Sequence, residues 1–319
     1  MVLRSALGGK NACIAENRIL SACAGPENDL TYKRRVELLS LLTSIVLGFI
    51  QGVSEFLPIS SSGHLAIAEY VLGQTGLGTP PDFFDVLLHL GTLVAVFAAY
   101  WADIKAMVFE LFHGIGDLVH HSTPTPLPPA RRMIFLIIVG TLPLFAVLPF
   151  KDKIEGLSSN IYFVAVALIL TGCLLFASDR VRRGRKTERS ATMLDVILVG
   201  IGQAIATCPG ISRSGTTITA GCFVGFERKF AVRFSFLLSI PAVLGANILT
   251  LKDAAEAGIN WGDVPVYLAG VLVAAVVGYG CIRLLKMIAD KGKFGWFAYY
   301  CWAMGLLTLV VTFVKNTTA

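Results

Sequence analysis

Two short polar runs interrupt an otherwise apolar sequence, and both hold residue types suited to phosphate chemistry. The first reads Gln51-Gly-Val-Ser-Glu55-Phe-Leu-Pro58-Ile-Ser60-Ser61-Ser62-Gly63-His64. Gln51 and Glu55 are four apart and so share one face of a helix. Glu55 lies inside an apolar stretch, where a carboxylate is costly and is retained for a function. Pro58 ends the helix, Gly63 permits a tight turn, and three hydroxyls and an imidazole lie around it. Serine, imidazole and carboxylate are the parts of nucleophilic and general-base catalysis. Taken singly, the serines could be helix caps and His64 a satisfied polar residue. Their combination with Glu55 points to function.

The second run reads Pro209-Gly210-Ile211-Ser212-Arg213-Ser214-Gly215-Thr216-Thr217. Arg213 sits between long apolar stretches and needs an anionic partner. Its planar fork matches phosphate oxygens. The hydroxyls of Ser212, Ser214 and Thr217, with the amides of a following helix start, would add donors. The spacing differs from GxxxxGK[ST], so this is not a Walker loop. The structural alternative is an Arg213–Glu55 ion pair, which is compatible with a phosphate site. Asp85 and His89, four apart, either line the same cavity or mark a membrane interface.

The elements that must position these residues follow from composition. The chain has 319 residues, 55% hydrophobic and only 15% charged, with a mean hydropathy of +0.71. A soluble domain carries nearer a quarter charged residues, so the surface calls for lipid. This is the pattern of an all-α polytopic membrane protein. Residues 84–101, 132–150, 160–178, 264–287 and 294–314 approach the length of a span. Residues 233–251 do too, with a kink expected at Pro241. Residues 38–57 and 193–208 instead run into Pro58 and Pro209 and the polar clusters. Broken segments at membrane depth line protein-covered cavities, and a matching pair points to a site. The +6 net charge collects in short loops, above all Arg180, Arg182, Arg183, Arg185, Lys186 and Arg189, which marks that side as cytoplasmic and in contact with membrane lipids. No basic face is interleaved with aromatics, so nucleic acid is not a partner. The seven cysteines lack CxxC or zinc spacing and read as small buried hydrophobes. Asp103 and Glu110 read as interfacial, Glu227 to Arg233 as a solvated turn, and Trp101, Trp296, Tyr299, Tyr300 and Trp302 as an aromatic belt. Residues 1–35 have no long apolar core and read as a mobile extension outside a single membrane domain, 36–319.

The two broken segments match each other. A shift of 152 residues places Gly48 on Gly200, Gln51 on Gln203, and Ser60, Ser62 and Gly63 on Ser212, Ser214 and Gly215. A shift of 150 places Phe84 on Phe234. The chain therefore reads as an internal repeat, 38–150 and 193–314, with two re-entrant helix-loop segments. Under the shift Ser61 pairs with Arg213 and His64 with Thr216, and positions where the halves diverge are free to take different roles. Ser61 is the expected nucleophile, His64 the general base or leaving-group acid, and Arg213 the charge stabiliser. Direct attack by His64 is another route. Glu55 would act as base, with Gln51 assisting by hydrogen bonding. Gln51, Ser60, Ser62, Ser212, Ser214 and Thr217 form the expected binding shell. A lipid transporter or flippase would share the repeat and the anion site, but has no need of a nucleophile and base.

Gln51-x-x-x-Glu55 followed by Phe-Leu-Pro-Ile-Ser-Ser-Ser-Gly-His64 resembles the first signature of the undecaprenyl-diphosphate phosphatase (bacitracin-resistance) family. Pro-Gly-Ile-Ser-Arg213-Ser-Gly-Thr-Thr resembles the second, and segment order extends the resemblance over about residues 37–314. Gln51 is the amide version of the family's first acidic position. The resemblance implies hydrolysis of undecaprenyl diphosphate to undecaprenyl phosphate and inorganic phosphate, which recycles the peptidoglycan lipid carrier and confers bacitracin resistance. It also implies a divalent cation (Mg2+ or Ca2+), for which Glu55 is the expected ligand and with which metal-activated water is a third route, inverted repeats, a multi-pass inner-membrane protein whose site faces the outer side, and a homodimer as an assembly.

Overall fold

The computed structural model describes residues 26–75, 82–119, 124, 126–257, 264–291 and 294–318. Apart from an isolated bridge between Lys186 and Phe226, the regular elements described are helices. They are α1 Pro26–Phe56, α2 Ser61–Thr75, α3 Asp82–Ala99, α4 Trp101–Val119, α5 Pro129–Phe145, α6 Lys151–Glu155, α7 Ile161–Ser178, α8 Met193–Ile205, α9 Arg213–Phe223, α10 Arg228–Ala257, α11 Val264–Lys291 and α12 Gly295–Thr318. The end of the segment expected to be a mobile extension belongs to α1, and residues 1–25 lie outside the described residues.

This is a polytopic all-helical membrane protein. Among the described residues, Pro129–Ser159, Ile161–Ser178, Arg228–Leu249, Val264–Ala289 and Gly295–Thr317 are long and apolar enough to cross a bilayer. Large apolar side chains such as Leu272 and Ile248 face outward, as lipid requires. The stretch expected as one span at 84–101 behaves differently. The helix stops at Ala99, and α4 continues at an angle of 82° to it. At the bend, Lys286 of α11 donates to the carbonyl of Ala99 (3.0 Å) and covers the Tyr100 ring at 3.6 Å, taking a carbonyl that a continuous helix would use. α10 continues through Pro241 to Ala257.

Helix association in lipid relies on close packing through small residues rather than on the hydrophobic effect. The pairs α1–α11 and α5–α8 show this. A Cβ at Gly48 would run into the Gly270 carbonyl, and one at Gly200 into the Gly140 carbonyl. Gly52 packs on α11 next, where a Cβ would come within 2.8 Å of the Ala274 carbonyl. These contacts fix the depth of the last turns of α1 and α8.

The starts of α5, α8, α10 and α12 meet at one end of the bundle through charges. Arg132 of α5 donates to the carbonyls of Glu188 and Ala191. Lys186 holds Asp195 in the first turn of α8 at 2.8 Å. Asp179 accepts from Arg228 (3.1 Å) and from the amides of Phe294 and Gly295. Arg233 pairs with Asp103 at 2.6 Å, and Arg131 with Asp117 at 2.7 Å and Glu110 at 3.0 Å. Residues read from sequence as interfacial or as a solvated turn are thus the ties of this basic end.

Candidate active site

The site is assembled where the turn after α1 meets the turn after α8. Ser60 caps α2, its Oγ accepting from the Gly63 amide at 3.2 Å. Ser212 caps α9 in the same way, accepting from Gly215 at 3.1 Å. A second hydroxyl leans on each cap: Ser62 lies 3.4 Å from Ser60, and Ser214 lies 3.3 Å from Ser212. The turns also touch. Gly210 donates its amide to Ser62 Oγ at 3.2 Å, and a Cβ at Gly215 would come within 3.3 Å of Pro58 Cβ. Thr171 of α7 clamps the second turn, donating to the Gly210 carbonyl (3.2 Å) and accepting from the Ser212 amide (3.1 Å).

Glu55, only 6% exposed, is the focus of the polar side chains. One carboxylate oxygen is paired with the Arg213 guanidinium. The other accepts from Ser61 Oγ at 2.6 Å and from Gln51 Nε2 at 3.0 Å, with His89 Nε2 at 3.9 Å. Gln51 Oε1 is buried without a hydrogen-bond partner among the described residues. This places the Ser61 proton on a line to a carboxylate, and a fork for anions beside both. His64 lies across the same turn. Its Nδ1 is 2.8 Å from the Ser60 carbonyl and its Nε2 2.8 Å from the Tyr300 hydroxyl. A carbonyl only accepts, so Nδ1 carries the proton of the neutral ring and Nε2 is the basic atom.

Residues 44–307 match the family model of bacitracin resistance protein BacA. The chain belongs to that family. Its relatives include an undecaprenyl-diphosphatase of Methanosphaera stadtmanae, 40% identical over 284 residues that cover 87% of this chain and 100% of the relative. Another, of Methanobrevibacter smithii, is 38% identical over 85% of this chain and 98% of its own. A third, of Alkaliphilus metalliredigens, is 38% identical over 84% of this chain and 97% of its own.

In this BacA-family chain the residues expected to carry chemistry fall into two groups. Glu55, Gln51, Ser61 and Arg213 are joined directly. Ser60, Ser212 and Ser214 are buried and spend their hydroxyls on the turns. Thr217 lies behind Arg213, donating to the Arg213 carbonyl at 2.8 Å and facing Ser235 Oγ at 2.5 Å. Two further residues join the site. His89 had a visible signal, an imidazole four residues from Asp85. Tyr300, expected in an interfacial belt, is stacked on His64 with ring planes 8° apart, a contact between residues 236 apart in sequence.

Proposed function

We propose that this protein hydrolyses undecaprenyl diphosphate to undecaprenyl phosphate and inorganic phosphate, renewing the peptidoglycan lipid carrier and thereby conferring bacitracin resistance. The observation that carries this reading is the convergence of Ser61, Arg213, Gln51 and His89 on one buried carboxylate. A nucleophile, a proton acceptor and an anion fork in hydrogen-bonded reach constitute phosphoryl-transfer machinery.

In the mechanism, the terminal phosphate takes over the Arg213 fork that Glu55 holds in its absence. Ser61 Oγ attacks the terminal phosphorus as Glu55 accepts the hydroxyl proton. The bond from that phosphorus to the bridging oxygen breaks, and undecaprenyl phosphate leaves as its anion. Water then attacks the phosphoserine, giving a proton to the basic His64 Nε2, which passes it to the inorganic phosphate. Inorganic phosphate departs, and Glu55 returns its proton to Ser61. Glu55 rather than His64 is the base for Ser61, because Ser61 already donates to Glu55 and no hydrogen bond links Ser61 to His64 among the described residues.

A divalent cation, Mg2+ or Ca2+, would be held by Glu55 and Gln51. The partnerless Gln51 Oε1 is a hard oxygen donor beside the carboxylate, which fits such an ion. No three His, Cys, Asp or Glu side chains gather among the described residues, so diphosphate and water would complete the shell. When bound, the cation would neutralise diphosphate charge.

We also propose that α1–α2 and α8–α9 are re-entrant hairpins of an inverted repeat. The equivalent caps at Ser60 and Ser212 support this, as do the equivalent glycine contacts at Gly48 and Gly200. α8 starts at the basic end, whereas α1 runs alongside α11 toward that end. With the basic end cytoplasmic, the α1–α2 hairpin enters from the outer side of the inner membrane. Phosphate release from a polyprenyl diphosphate by purified protein tests the function. Release that stops with chelator and returns with Mg2+ or Ca2+ is expected. No release under any cation would sink the phosphatase reading, and chelator-resistant release would sink only the cation.

A further inference from the structure

α4 is amphipathic in an unusual setting. Its 82° turn away from α3 prevents the two from forming one straight span. Both of its halves are tied to the basic end: Asp103 pairs with Arg233 near the start of α10, and Glu110 and Asp117 pair with Arg131 at the start of α5. The ends of two spans therefore hold α4 across the bundle. The opposite face carries Trp101, Val108, Phe109, Phe112 and Ile115, between 49% and 68% exposed, with exposed Lys105 among them. An apolar face with a long basic side chain, lying across the ends of spans, suits the acyl–headgroup boundary.

The neighbouring loop supplies charge. Arg182, Arg183, Arg185 and Arg189 are exposed, and their side chains make no hydrogen bond or ion pair among the described residues. The loop itself is held in place. Lys186 donates its amide to the Gly225 carbonyl and accepts from the Glu227 amide, and Glu188 lies 3.8 Å from the same Arg233 that holds Asp103. α4 and the loop thus flank one guanidinium and form one surface.

We propose that α4 and the arginine loop form a binding surface for anionic phospholipids in the leaflet at the basic end. The lipid chains lie against Trp101, Phe109 and Phe112, and the headgroup phosphates lie against Lys105 and the four arginines. Unpaired guanidiniums prefer phosphate oxygens, and an anionic headgroup adds charge that phosphatidylcholine lacks. The inference is independent of the reaction at Glu55.

Tryptophan quenching by brominated lipids tests this directly. The full chain is reconstituted in mixed bilayers, and the Trp101 contribution is taken as the difference from Trp101→Phe. Brominated phosphatidylglycerol is expected to quench Trp101 with about fivefold preference over brominated phosphatidylcholine at low salt. The preference should fall with ionic strength. It should disappear when Arg182, Arg183, Arg185 and Arg189 are all replaced by glutamine, substitutions at exposed positions. Bromines near the headgroup should quench more than bromines near the chain ends. Equal quenching by the two lipids, or a preference that survives the fourfold replacement, would overturn the charge recognition. Stronger quenching by deep bromines would overturn the in-plane placement.

Discussion

The two polar turns use the same backbone device for different purposes. Each is a serine cap on a helix that starts just after a broken one, with hydrogen bonds of 3.2 and 3.1 Å. They differ in how the chain bends. Ser60 itself takes a left-handed φ of 74°, whereas in the second turn Gly210 does so at 89°, leaving Ser212 unstrained. They differ more in side chains. The first turn places Ser61 on Glu55 and His64 between the Ser60 carbonyl and Tyr300. The second places Arg213 on Glu55, and where the first has Gln51 bonded to Glu55, Gln203 has both amide atoms buried without partners among the described residues. In the reading proposed above, a duplicated scaffold with divergent side chains would give one asymmetric site, with the nucleophile from one copy and the charge clamp from the other.

The comparison is broken most severely by removing the side chains that differ. Arg213→Ala should lower phosphate release by about a thousandfold or more, the scale seen when a charge clamp is lost from phosphoryl transfer, with the helix content retained in circular dichroism. Arg213→Lys should recover only part of this, because an ammonium cannot bind two oxygens as a fork. A fully active lysine variant would remove the bidentate role. Glu55→Gln should cost a similar factor and should not be restored across a Mg2+ or Ca2+ titration. Wild-type rates there would show that Glu55 is neither base nor cation ligand.

A smaller effect sharpens the view of His64. Tyr300→Phe removes the partner of Nε2 while keeping the ring stack. The expected change is a drop of about tenfold or less, within the range of general acid–base contributions, together with a shift in the pH profile of kcat. An unshifted profile would make Tyr300 a packing residue. The smallest effects belong to the shared caps. Ser212→Ala should destabilise by about 1 kcal/mol, as loss of an N-cap does, read as a modest fall in melting temperature. Ser60→Gly should cost less than Ser60→Ala, because glycine accepts the positive φ that alanine resists.

Much of this was legible in sequence because it is local or repeated. The paired Ser-x-Ser-Gly runs showed the two turns, the prolines showed where helices break, and an isolated arginine and carboxylate in apolar surroundings pointed to each other. What sequence did not reveal depends on distant contacts. At the bend near Tyr100, the backbone carbonyl of Ala99 is taken by Lys286, 187 residues away. The pairing of Tyr300 with His64 depends on how α12 lies against α2, and a tyrosine near a helix start carries no mark that separates it from a membrane belt.

The assignment of roles at the divergent positions is tested most directly by trapping the reacting enzyme. Undecaprenyl diphosphate labelled in its terminal phosphate is mixed with purified protein, quenched during turnover, and the labelled peptide is sequenced. The account predicts label as phosphoserine at Ser61, absent in Ser61→Ala, which should also lose nearly all turnover. Phosphohistidine at His64, or near-normal turnover by Ser61→Ala, would contradict it.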